Sequence, residues 1–102
     1  MPIQLGIWER RDNADRRELG NTALQLCRII RKRDGITSSK FYWYTLDTVV
    51  ILTEGETAAL DAPGTAESAR ALFDLGDLAR VTKYWRLGEP RAGEETYRAA
   101  GR

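Results

Sequence analysis

The sequence has no histidine and only one cysteine, Cys27, among its 102 residues. Histidine is the commonest general base, a member of the usual catalytic triads and the commonest metal ligand. A zinc site needs several histidine or cysteine ligands, and no D-x-D-x-D spacing indicates an oxygen-ligated metal. We therefore predict no metal site. A single cysteine excludes an internal disulfide, which is typical of a cytoplasmic protein, so we predict that location.

Phosphate-binding loops, long apolar runs and a charge excess are also absent. The glycines up to Gly55 are scattered, without a G-x-G or G-K-[ST] motif, so we expect no cofactor. No apolar run approaches the roughly 20 residues of a membrane helix, and the N-terminus lacks the pattern of a signal peptide. With 16 basic and 15 acidic residues, the net charge of +1 provides no field for nucleic acid or membranes. We expect neither as a partner.

The first third of the chain predicts a strand followed by a helix. Ile3, Leu5 and Ile7 alternate with Gln4, Gly6 and Trp8, which is the period of a strand. A helix is then expected from an N-cap at Asp12 or Asn13 to a stop at Gly35. Its buried face repeats at helical spacing and includes Cys27 as a small hydrophobe: Leu19, Ala23, Leu26, Cys27 and Ile30.

The rest of the chain predicts a β-hairpin, a second helix and a last strand. The hairpin comprises 37–45 and 48–55, and a connection with a helical turn covers 56–64. Thr65 caps the second helix, whose expected buried face is Ala69, Leu72 and Phe73, with Leu75 or Leu78 beyond. Residues 81–87 form the fourth strand. We predict one domain over 1–88 and a C-terminal extension over 89–102, with a short helix at 94–100.

Pairing Tyr44 with Val49 across the hairpin assigns side chains to the two faces of the sheet, because paired residues point to the same side. The apolar set should meet the helices: Ile3, Leu5, Ile7, Phe41, Trp43, Val50 and Leu52. The other set should lie on an open face: Gln4, Trp8, Tyr42, Tyr44, Val49, Ile51, Tyr84 and Arg86. An aromatic patch of this kind usually marks an interaction site.

The β-α-β-β-α-β order, the length near 100 residues, the aromatic open face and the C-terminal extension resemble the dimeric α+β barrel superfamily. Its members include small monooxygenases of the antibiotic-biosynthesis type and haem-degrading enzymes. The resemblance implies a ferredoxin-like α+β fold, with a four-stranded antiparallel sheet, both helices on one face, and a homodimer formed through the open sheets. No catalytic residue carries over, because histidine is absent and the two asparagines, Asn13 and Asn21, lie where the first helix begins.

Three hypotheses for function follow, and whether the protein is an enzyme stays open. In the first, a small aromatic or anionic ligand binds on the open face to Trp8, Tyr42, Tyr44, Tyr84 and Arg86. Arg86 would then anchor a carboxylate or phenolate, since its guanidinium can bind two oxygens at once; alternatively, these aromatics only form the dimer contact.

In the second hypothesis, the start Met1-Pro2-Ile3 resembles that of the tautomerases, which use an N-terminal proline as general base. Removal of Met1 would expose Pro2 in that role. In the third, the protein is a non-catalytic interaction or assembly protein.

Overall fold

Four strands and three helices follow one another along residues 2–87, the part of the chain that the computed structural model describes. The predicted extension over 89–102, with its short helix, lies outside the described residues. In chain order the elements are β1 (Ile3–Arg10), α1 (Arg16–Arg31), β2 (Ile36–Trp43), β3 (Thr48–Gly55), α2 (Thr57–Asp61), α3 (Ala66–Leu78) and β4 (Ala79–Leu87). The short α2 occupies the connection in which a helical turn was expected.

The strands form one antiparallel sheet in the order β2-β3-β1-β4. Side chains of α1 and α3, such as Leu19 and Leu75, cluster with Trp8, Val49 and Ile51 of the sheet in a single core. Both long helices therefore cover the same face of the sheet. This confirms the predicted ferredoxin-like α+β fold. None of the helices within residues 2–87 is long and apolar enough to cross a membrane.

Helix α1 buries nearly the residues that its periodicity predicted. Leu19, Ala23, Leu26 and Cys27 are buried, with Ile29 rather than Ile30 completing the buried set. The predicted N-cap was wrong: the cap is Asp15, because the Ala14 amide donates to the Arg11 carbonyl (3.0 Å) in a turn that precedes the helix. The helix ends at Arg31, four residues before the predicted stop at Gly35. Gly35, with φ of +85°, lies instead in a turn in which the Ile36 amide donates to the Arg33 carbonyl (3.2 Å).

Helix α3 faces the core with smaller residues than predicted. Its buried residues are Ser68, Ala71 and Leu75, whereas Leu72 is 47% and Phe73 67% exposed. The expected face with Ala69, Leu72 and Phe73 was therefore wrong. Small side chains let two packed elements approach closely, which offsets the smaller apolar area of each residue.

The hairpin register differs from the prediction by one residue. Trp43 pairs with Val49 and Phe41 with Ile51, because the Tyr44 amide donates to the Thr48 carbonyl (2.9 Å) inside the turn and Tyr44 leaves the ladder. Phe41 and Trp43 face the helices as predicted, although they are only partly buried. A slip of one residue inverts a strand, so in β3 the buried residues are Val49 and Ile51, and Val50 and Leu52 lie on the opposite face.

Strands β1 and β4 are also inverted relative to the prediction. Trp8 is buried in the core, so Gln4, Gly6 and Trp8 face the helices. Tyr84 pairs with Gly6 and Arg86 with Gln4, which places both on the helix side as well. The side that no helix of residues 2–87 covers, called the bare face below, carries Ile3, Leu5, Ile7, Tyr42, Val50, Leu52, Trp85 and Leu87. The prediction failed because each side of β1 carries at least one large apolar residue, and alternation alone cannot choose between them.

Candidate functional site

A cleft of about 340 Å³ opens between the helix side of the sheet and the two long helices. Gln4, Gly6 and Trp8 of β1 line it together with Ile51, Thr53 and Tyr84. Helix side chains add Leu26, Ile30, Ser68 and Leu72. This volume lies in the range of small-molecule sites. We call it the sheet–helix cleft.

The indole N–H of Trp8 is an unused hydrogen-bond donor in this cleft. Trp8 is only 8% exposed, and its N–H donates to no atom of residues 2–87. In the same part of the chain, every fully buried side-chain nitrogen or oxygen has a partner. The indole N–H must therefore be open to the cleft. Water can reach this N–H, and an acceptor on a ligand would take over that hydrogen bond inside a mainly apolar cleft.

Gly6 keeps this donor uncovered. A Cβ atom at residue 6 would lie 3.0 Å from Trp8 Nε1 and 3.5 Å from a ring carbon of Tyr84. The missing side chain therefore leaves space between the indole and the phenol. Burial raises the pKa of Tyr84, an effect that the charge of Arg86 opposes. The phenol stays protonated at neutral pH and can donate a hydrogen bond.

Thr53 connects the cleft to a buried polar chain. Its hydroxyl lies 2.9 Å from that of Ser39, and the two residues are 4% and 0% exposed. Cys27 of α1 lies beside Ser39. Burial raises the pKa of the Cys27 thiol, opposed by the Ser39 hydrogen bond and the charge of Arg31. Cys27 is thus an inert, protonated thiol, as its place on the apolar stripe predicted.

Arg86 already has a protein partner. Its Nη2 donates to Asp61 Oδ1 (2.8 Å) and to Gln4 Oε1 (3.3 Å). The Arg86 and Asp61 side chains are 33% and 60% exposed, so the ion pair is open to solvent rather than sealed in a closed contact. A ligand role for Arg86 stays a prediction, and its Nη2 is already engaged by Asp61 and Gln4.

The structure separates the five predicted site residues. Trp8 and Tyr84 line the sheet–helix cleft, with Arg86 beside them through its bond to Gln4. Tyr42 is half exposed on the bare face, and Tyr44 is 74% exposed at the hairpin turn. The idea that all five share one open face was wrong.

No pattern in the sequence indicated Gly6 and Thr53 as lining residues. Arg33 also lines the cleft. It belongs to the basic run "RIIRKR", which the sequence predicts to be solvated cations at a helix end.

Two further chemistries find no support among residues 2–87. No group of three or more acidic, cysteine or histidine side chains is arranged to hold a metal ion. Pro2 is buried, and its carbonyl oxygen accepts a hydrogen bond from the Gly55 amide (3.4 Å). This burial does not suit a proline that must receive a proton from a substrate, so the tautomerase hypothesis gains no support.

The strand order and the paired helices define a ferredoxin-like α+β protein, and similar solved structures place it among those with the fold of antibiotic-biosynthesis monooxygenases. One structure described as an antibiotic biosynthesis monooxygenase has a TM-score of 0.74 at 14% identity, covering 87% of this chain and 98% of that one. A Bacteroides thetaiotaomicron protein of unknown function, described as a possible oxidoreductase, has a TM-score of 0.70 at 20% identity, covering 84% and 95%.

SnoaB, a cofactor-independent oxygenase from Streptomyces nogalater, has a TM-score of 0.68 at 10% identity, covering 86% and 91%. No protein-family model and no curated protein matches the sequence. At these identities the likeness establishes the fold, and it leaves the activity open.

Proposed function

We propose that the protein binds a small, largely apolar molecule in the sheet–helix cleft, through an oxygen that accepts a hydrogen bond from Trp8. The unused indole N–H carries this proposal, because no other described group satisfies it. The cleft walls are mainly apolar, and no carboxylate of residues 2–87 lines them. Such a lining suits a flat ring system with a carbonyl or phenolate oxygen. The site replaces the one expected on the open face.

Two separate glycines, Gly6 and Gly76, allow a matched test of this site. Gly6→Ala places a methyl group against Trp8 Nε1, whereas a Cβ at Gly76 of α3 meets no atom within 4 Å. Thermal shift with a panel of naphthols, naphthoquinones and aromatic acids should give stabilising ligands for the wild type. A ligand at about 100 times its Kd adds about 2.7 kcal/mol of stability.

We expect Gly6→Ala and Trp8→Phe to lose that stabilisation and Gly76→Ala to keep it. Equal shifts in all four proteins would refute the cleft as the site. The absence of any binder would instead favour the interaction or assembly hypothesis.

A second candidate is oxygenase activity on such a ligand, which the description of SnoaB favours. Oxidation of a phenol by O₂ to a quinone and water balances without an external reductant, because the phenol supplies all the electrons. Donors in the cleft would stabilise the phenolate from which the reaction starts. The test is oxygen uptake matched by quinone absorbance. Turnover should fall in Trp8→Phe, and no uptake with any bound phenol would exclude this activity.

We also propose that the protein is a homodimer that apposes two bare faces. Leu5 lies between Leu52 and Trp85 at the centre of the bare face, and Lys40 and Lys83 stand on the outer strands. Tyr42, Trp85 and Leu87 are each between 43% and 50% exposed. An apolar centre with a charged rim suits a self-complementary contact. A cytoplasmic location stays a prediction from cysteine usage.

A further inference from the structure

Arg33 lies at the mouth of the sheet–helix cleft, two residues after α1 ends. Its side chain is half buried, and among the described residues that line the cleft it is the only charged one. The rim above it is the connection from α2 to α3, including Gly64. A cation on a mainly apolar and otherwise uncharged wall strongly affects which ligands can bind.

Neutral groups hold the guanidinium in place. Nη2 of Arg33 donates to the carbonyl oxygens of Ala62 (2.9 Å) and Pro63 (3.1 Å). These two bonds fix the orientation of the planar group and leave Nε and Nη1 without a partner among residues 2–87. The donors that remain are therefore oriented in advance, which lowers the entropy lost when a ligand binds.

Arg33 also has no carboxylate partner among residues 2–87, unlike Arg86. Within residues 2–87, four arginines form ion pairs with carboxylates, namely Arg10, Arg70, Arg80 and Arg86. Asp61, the acidic residue next to the rim, is bonded to Arg86. A half-buried guanidinium whose partners among residues 2–87 are all neutral favours binding of an anionic ligand.

We infer that the ligand of the cleft is an organic carboxylate, with its carboxylate bound by Arg33 and a second oxygen bound by the Trp8 indole N–H. This inference rests on the proposed ligand site and adds that the ligand is negatively charged. The apolar body of the ligand contacts Leu26, Ile30 and Leu72 between these two polar ends. Arg33 thus takes the anchoring role that the sequence suggested for Arg86, because Arg86 is neutralised by Asp61.

The test compares acids with their uncharged isosteres. The probes are hydroxylated mono- and bicyclic aromatic acids and the primary amide of each, titrated by calorimetry into four proteins. These are the wild type, Arg33→Gln, Arg33→Lys and Arg28→Gln. The last is the matched control, because Arg28 is exposed on α1, does not line the cleft and loses the same charge. Circular dichroism and thermal melting check that each variant is folded.

We expect the wild type and Arg28→Gln to bind an acid at least about tenfold more tightly than its amide. In Arg33→Gln the amide should bind as in the wild type and the preference for the acid should vanish. Arg33→Lys should retain part of it, since the charge remains without the planar pair of donors.

An amide that binds the wild type as tightly as its acid, or an acid preference that persists in Arg33→Gln, overturns this inference and leaves the cleft site standing. If neither the acids nor the amides bind, both this inference and the proposed ligand site are overturned.

Discussion

Trp43 sits at the margin of the core, where its ring meets three different neighbours. The Arg16 guanidinium carbon lies 3.9 Å from the ring centroid, and Phe41 meets the ring edge-on at 6.5 Å between centroids. A Cβ at Gly20 would lie 3.3 Å from the indole, so glycine lets the ring pack against α1. Trp43 thus joins the edge strand β2 to the first helix.

Trp43→Ala should lower the free energy of unfolding by about 2 kcal/mol. A fully buried aromatic would cost about 3–5 kcal/mol, but Trp43 keeps part of its surface in water and loses less. Tyr44→Ala is the control, because Tyr44 is 74% exposed and should cost under about 0.5 kcal/mol. Urea unfolding measures both values, and equal losses would contradict the packing of Trp43.

Cys27 should make the protein less stable in mildly alkaline solution. Burial raises the pKa of its thiol in the folded state, whereas an unfolded thiol ionises at about pH 8.5. Above that pH the unfolded chain binds fewer protons than the folded one, so stability falls as pH rises.

The urea midpoint of the wild type should therefore drop between about pH 7.5 and about pH 9.5, below the ionisation of tyrosine. In Cys27→Ala the midpoint should start lower, because the core loses packing, and then fall less over the same range. Parallel pH profiles for the two proteins would show that Cys27 makes no contribution.

At the level of elements, the two long helices begin in different ways. Thr65 and Ser68 form a reciprocal capping box at α3: Thr65 Oγ1 accepts from the Ser68 amide (3.1 Å), and Ser68 Oγ accepts from the Thr65 amide (2.9 Å). Asp15 caps α1 without a side-chain hydrogen bond to its amides. The start of α3 therefore depends on specific side-chain bonds.

Thr65→Ala should cost about 1 kcal/mol, since it leaves an amide at the start of α3 without its acceptor. Asp15→Ala should cost a few tenths of a kcal/mol, through the lost interaction of its charge with the helix dipole. Chemical denaturation of both variants separates the two effects. A loss at Asp15 as large as that at Thr65 would show that the capping bonds add nothing.

The elements also show what the sequence could and could not predict. The predicted element order was correct, and so was most of the predicted buried face of α1. Helical periodicity that persists over many residues identifies the buried face of a helix without ambiguity. The predicted hairpin register was wrong, because residues 44–47 contain no Asn-Gly pair that would determine the turn type. The faces of β1 depend on which side the helices cover, and Ile3 and Trp8 are equally acceptable in a core. The cleft was missed for the same reason, since it needs Gly6 and Trp8 under the helices.

At the scale of the whole molecule, the bare face is the main unpartnered apolar surface of the described sheet. We expect a homodimer at protein concentrations of about tens of micromolar, a range typical of a modest interface. Leu5→Lys places a cation at the centre of the bare face and should give a folded monomer. Analytical ultracentrifugation measures the molecular mass of the wild type and of Leu5→Lys in solution.

Phe73→Lys is the matched control for that experiment, because Phe73 is 67% exposed on α3, away from the bare face. It makes the same kind of apolar-to-cationic change and should remain dimeric. A monomeric wild type, or a Leu5→Lys variant that stays dimeric, would contradict the proposed contact.

Strand β1 supplies alternate side chains to both sides of the sheet: Gln4, Gly6 and Trp8 to the cleft, and Ile3, Leu5 and Ile7 to the bare face. The proposed dimer contact and the proposed ligand site would therefore lie on opposite sides of the same strand. By thermodynamic linkage, if dimerisation changes the affinity for the ligand by some factor, ligand binding changes the affinity between the subunits by the same factor. Titrations at several protein concentrations therefore measure this reciprocal coupling directly, with β1 as the element that both events share.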